Sequence, residues 1–146
     1  MPARMNHYDA ALRLCVDRAE SGQIQGRIVS RRLTAPVPFS DIGNMILKVE
    51  EILNQQNFPQ AFQRTRTFRH IPSHAIPVSE DLASGMSQEA VEHAQGATAT
   101  FSLYVLTRRS ATWQGKLDYL DGSAPVPFSS VLELIKLIDE RLFPRT

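Results

Sequence analysis

From Leu12 onward the chain alternates between apolar and polar positions. Leu12, Leu14 and Val16 are interleaved with Arg13, Cys15 and Asp17, the period of a strand with one buried face. This predicts a strand over 11–19. Ser21-Gly22 supplies turn chemistry, and Ile24, Gly26 and Ile28 then alternate with Gln25, Arg27 and Val29, so the two runs read as a hairpin. Pro36 and Pro38 lack the N–H that a ladder needs, which predicts a stiff connector leaving the sheet after Leu33. Ser40 or Asp41 caps the helix that follows. Its stripe of Ile42, Met45, Ile46, Val49, Ile52 and Leu53 recurs at spacings of three and four and ends before Phe58-Pro59.

The same pattern returns 89 positions later. Ala35-Pro36-Val37-Pro38-Phe39-Ser40 recurs as Ala124-Pro125-Val126-Pro127-Phe128-Ser129. Phe101, Leu103 and Val105 fall on the first strand's apolar set, and Trp113, Gly115 and Leu117 on the second strand's. Val131, Leu134, Ile135, Ile138 and Leu142 fall on the helix stripe. Over the 42 ungapped pairs from Leu12/Phe101 to Leu53/Leu142 there are 14 identities, Gln25-Gly26 with Gln114-Gly115 among them, so a duplicated unit is expected. Ser130 and Glu133 have the spacing of a capping box at the second helix.

Each hairpin has one apolar face and each helix one apolar stripe, and all four surfaces are satisfied if the hairpins form one sheet with both helices on its inner face. The expected fold is therefore α+β: an internally duplicated β-β-α unit giving a four-stranded antiparallel sheet, two helices on one face, and a pseudo-twofold axis. Residues 11–55 and 101–144 are the two repeats within a single domain spanning 1–146. A repeat of about 45 residues is near the limit for independent stability, so the two should fold together.

Residues 56–100 belong to neither repeat. In 61–69 Phe62, Arg64, Arg66 and Phe68 fall on one side of an extended segment that could add a fifth, edge strand, and the basic arm continues to 77 as irregular loop. The following segment, 78–98, is acidic and poor in large apolar residues, has the pattern for a short helix over 87–95, and is expected to be mobile as a whole.

Composition narrows the function classes without choosing among them. With 42% hydrophobic and 21% charged residues this is an ordinary globular chain, and its net charge of +1 gives no overall pull toward nucleic acid or an anionic membrane. Thirteen Arg stand against three Lys, a bias toward forked contacts with carboxylate or phosphate. Cys15 is the only cysteine, which excludes an internal disulfide. No run approaches the roughly 18 apolar residues of a membrane span, and residues 1–9 lack a signal-peptide core, so the expectation is cytoplasmic with no membrane partner.

No nucleophile motif, phosphate-binding glycine loop or dinucleotide fingerprint occurs. His70 and His74 have a helical metal spacing, but Pro72 lies between them, and neither a metal nor a cofactor is expected. Two candidate surfaces remain. The outer sheet face should carry Arg13, Gln25, Arg27, Val29, Tyr104, Leu106, Gln114 and Lys116, which alternate with the buried set and are apolar enough to suit a partner. The arm offers Arg64, Arg66, Arg69 and His70, interleaved with aromatic residues, to nucleic acid or another anion. The leading expectation is a non-catalytic binding or interaction module with a protein partner or a second copy of itself. The alternatives are nucleic-acid binding through the arm and an enzyme with a cleft between the repeats.

Overall fold

The computed structural model describes residues 6–59, 76–79 and 83–144. Within them the chain runs β1 (Leu12–Glu20), β2 (Gln23–Val29), β3 (Val37–Phe39), α1 (Ile42–Gln56), α2 (Gln88–His93), β4 (Ala99–Thr107), β5 (Gln114–Asp118), β6 (Val126–Phe128) and α3 (Val131–Leu142). The strands form one open antiparallel sheet in the order β3-β2-β1-β4-β5-β6.

The sheet thus has six strands, where four or five were expected. The added pair are β3 and β6, both cut from the proline connectors. Prolines drive the residue before them into extended geometry, which is also strand geometry. In an antiparallel edge strand alternate residues turn their N–H away from the partner, so one proline there forfeits no ladder bond. Pro38 stands opposite Arg27 between the pairs Ile28–Val37 and Gly26–Phe39; Pro127 stands likewise between Leu117–Val126 and Gly115–Phe128. Val37, Phe39 and Phe128 are buried while both prolines are exposed. The fifth strand considered for 61–69 lies outside the described residues.

The centre of the sheet is the antiparallel pair β1–β4, with Leu12 opposite Leu103, Arg13 opposite Ser102 and Leu14 opposite Phe101. The inner-face residues Leu12, Leu14, Ile28, Phe101, Leu103 and Leu117 join Met45, Val49 and Ile52 of α1 and Leu134 and Ile138 of α3 in one core. Burying a side chain of this size contributes about 1.5–3 kcal/mol, so this layer is the principal source of stability.

Both helices start the same way. The Asp41 side chain accepts from the Asn44 N–H and that of Ser130 from the Glu133 N–H, while Asn44 and Glu133 reach back to the N–H of Ser40 and Ser129. The capping box expected of Ser130 and Glu133 is therefore shifted by one residue at its return bond, which lands on the residue before the cap. Helix α1 ends on Asn57 in the left-handed conformation (φ 48°), with Phe58 N–H donating to the Leu53 carbonyl.

Candidate functional site

The outer face of the sheet is partly roofed by the chain itself. Helix α2, capped by Ser87, lies where the short helix was expected. The segment after it is tied to β1 and β2: Arg13 Nε donates to the Ala94 carbonyl (2.7 Å) and Arg27 Nη2 to that of Gln95 (3.0 Å). The N–H groups of Ala97 and Thr98 donate to Asp17 Oδ1 (3.1 Å) and the Val16 carbonyl (2.9 Å). Gly96 is pressed so close that a Cβ there would lie 2.4 Å from Val16 backbone atoms. These contacts account for the complete burial of Cys15, whose thiol is pushed above its ordinary value by desolvation. Asp17 is shifted down, chiefly by the Ala97 N–H and also by Arg27, whose Nη1 contacts both its oxygens at 2.9–3.0 Å.

Between this roof, the turn over residues 7–10 and the middle of the sheet lies a recess of about 120 Å³. Its floor is the central pair Arg13 and Ser102, with Tyr104 beside them; Tyr8, Val91 and Leu120 are its apolar walls. Arg31 enters from the loop after β2 and donates through Nη1 to Asp9 Oδ1 (2.9 Å). Its Nε is the one buried side-chain nitrogen or oxygen among the described residues that has no hydrogen-bond partner. Glu92 is already engaged, accepting from Gln88 Nε2 (3.0 Å) and from the Tyr8 hydroxyl (3.4 Å), and its charge raises the Tyr8 phenol above its ordinary value.

The expected sheet-face residues have divergent roles. Arg13 and Tyr104 line the recess, and Lys116 stands over the Tyr104 ring, 5.2 Å from its centroid. Arg27 serves the roof and Val29 is buried, whereas Gln25 is exposed and Leu106 half-buried. Gln114 braces the β4–β5 hairpin: its Oε1 accepts from Thr107 Oγ1 and the Arg109 N–H, and its Nε2 donates to the Arg109 carbonyl. Arg64, Arg66, Arg69 and His70 lie outside the described residues. The sequence reading missed Tyr8, Asp9, Arg31, Gln88, Glu92 and Ser102. Their only local signal was the spacing of Gln88 and Glu92 on one helix face; the recess is made by contacts between residues tens of positions apart.

On the opposite side of the sheet, the hollow between the start of α1 and the second half of α3 measures about 30 Å³ and is walled by Ile24, Ile42, Ile135, Ile138 and Leu142. That is room for about a water and offers no reacting groups apart from Asp139 at its rim. Among the described residues no three His, Cys, Asp or Glu side chains converge as metal ligands, and no helix is long and apolar enough to cross a membrane. Comparison of the chain with protein-family models, curated proteins and solved structures gives no match.

Proposed function

We propose that this protein is a non-catalytic binding module whose working surface is the outer face of the sheet around the central recess. One observation carries the reading: a concave site where the roof, the N-terminal turn and the two central strands converge, with two arginines and two tyrosines on apolar walls. Binding sites are typically apolar hollows with a few placed polar groups, and this one has that character without the nucleophile-and-base geometry of an enzyme.

The module is best explained as a duplicated unit, now β-β-β-α in each half. Supporting this are the palindromic strand order, the 14 identities, and the pairing of Arg13 with Ser102, which are 89 positions apart and stand side by side at the sheet centre. The recess then sits on the pseudo-twofold axis, and the roof, present once among the described residues, makes it asymmetric there.

A protein partner, or a second copy, is the second reading, favoured by Leu106 and Leu120 near Tyr104, with Leu120 42% exposed. Pairing through the sheet edges is disfavoured because each edge strand is three residues long with a proline in the middle.

A fragment screen read on the backbone amides tests the primary reading. We expect ligands that shift Arg13, Ser102 and Tyr104 together; a screen whose binders all act elsewhere, or that yields none, would end it. Light scattering tests the second: Leu106→Asp should dissociate any oligomer, and a wild-type monomer at high concentration rules the copy out.

A further inference from the structure

The recess has more donors than acceptors. Among the described residues nothing accepts from Arg31 Nη2, from Arg13 beyond its Nε, or from the hydroxyls of Ser102 and Tyr104, while Arg31 Nε is unpaired but closed to solvent. The acceptors are committed: Asp9 to Arg31, and Glu92 to Gln88 and Tyr8. The guanidinium ends of Arg13 and Arg31 and the two hydroxyls border a space open to solvent, so a ligand that brings acceptor oxygens meets several donors at once at this place. An arginine fork suits a carboxylate, and such charge-assisted bonds are about twice as strong as neutral ones.

The surroundings limit the rest of the ligand. A volume of about 120 Å³ is close to the ~150 Å³ cavity that accepts a benzene ring, so only a small body fits. Tyr8, Tyr104, Val91 and Leu120 would contact that body, which makes it apolar. Asp9 and Glu92 oppose any second negative charge. We propose that the recess binds a small organic monocarboxylate with an apolar or aromatic body, its carboxylate held by Arg31 and Arg13. This rests on the binding-module reading and adds the ligand class to it.

Benzoate is the probe, followed by amide shifts on the whole protein, with benzyl alcohol as the neutral counterpart and phthalate as the dianion. Benzoate should give saturable shifts at Arg13, Ser102 and Tyr104, and the other two should bind at least tenfold more weakly. Arg31→Lys keeps a cation for Asp9 but loses the guanidinium fork, and is expected to weaken benzoate about tenfold, equal to 1.4 kcal/mol. Val91→Trp fills the recess without altering its charge and should abolish binding. Thermal unfolding of each variant separates lost binding from lost fold. The proposal is overturned if benzoate shifts nothing in the recess, if benzyl alcohol binds as well, or if both folded variants bind like the wild type. Should neutral fragments occupy the recess while benzoate does not, the ligand class falls and the binding-module reading stands; if nothing binds there, both fall.

Discussion

At the scale of single residues, the identity of Gln25-Gly26 with Gln114-Gly115 has a steric cause. β1 carries an irregularity between Val16 and Arg18, β4 one between Val105 and Thr107, and each glycine pairs beside one. A Cβ on Gly26 would lie 1.9 Å from the Cys15 carbonyl oxygen, and one on Gly115 1.8 Å from that of Tyr104. Backbone cannot yield as a flexible side chain can, and overpacking of this kind typically costs about 1–3 kcal/mol. Gly26→Ala and Gly115→Ala should each lower the urea midpoint by the equivalent of about 2 kcal/mol. Gly43, on the exposed side of α1, meets only Asp41 Oδ1 at 3.4 Å, so Gly43→Ala should move the midpoint the other way, by about 0.5–1 kcal/mol. Equal effects at all three sites would refute the steric account.

At the scale of elements, periodicity revealed β1, β2, β4, β5 and both long helices, because each has one face in the core and one outside. It hid β3 and β6, whose prolines look like breakers until their place at the sheet edge is known. It placed the end of α1 before Phe58-Pro59 but gave no hint of the two buried arginines that hold that end. Arg32, 1% exposed, donates to Gln56 Oε1 (2.6 Å) and the Phe58 carbonyl (2.5 Å); Arg108, 7% exposed, donates to the Pro59 carbonyl (2.6 Å) and Asn54 Oδ1 (2.5 Å). Burial, reinforced by Arg108, pulls Arg32 down to about 9, so it stays charged at neutral pH. Desolvating a guanidinium costs several kcal/mol, which the helix C-terminus, the charge-assisted bonds and the Phe58 ring at 5.6 Å together offset. Removing the arginine leaves the acceptors buried and unpaired, at about 1–3 kcal/mol each. Arg32→Met should therefore destabilise by about 2 kcal/mol or more in urea, and a neutral result would show that desolvation outweighs the bonds.

The roof element titrates in acid. Asp17 has its folded-state value below the ordinary 3.8, so the charged form is favoured by folding. Its contribution is full above about pH 4 and is lost as the pH falls through the lowered value. The Ala97 amide resonance should titrate with a midpoint below 3.8 and stop doing so in Asp17→Asn. A midpoint above 3.8 would contradict the assigned bond.

At the scale of the molecule, the two-layer arrangement followed from counting apolar faces, but strand order and the recess did not, since both depend on which distant segments meet. The observed order puts β1 and β4 at the centre, so neither half has a finished sheet alone: separating them bares the facing edges of both strands and opens the core beneath Leu14 and Phe101. The end of α1 also draws one of its buried arginines, Arg108, from the other half. A fragment of about 60 residues buries only about 60% of its unfolded surface even when complete. Residues 1–60 alone should therefore show no cooperative thermal transition by circular dichroism, and adding residues 76–146 should restore one, with a midpoint that rises with concentration because the halves must associate. A cooperative transition of the first fragment by itself would mean that the β1–β2–β3–α1 half is a domain in its own right, and that the central β1–β4 pairing docks two folded units instead of completing one.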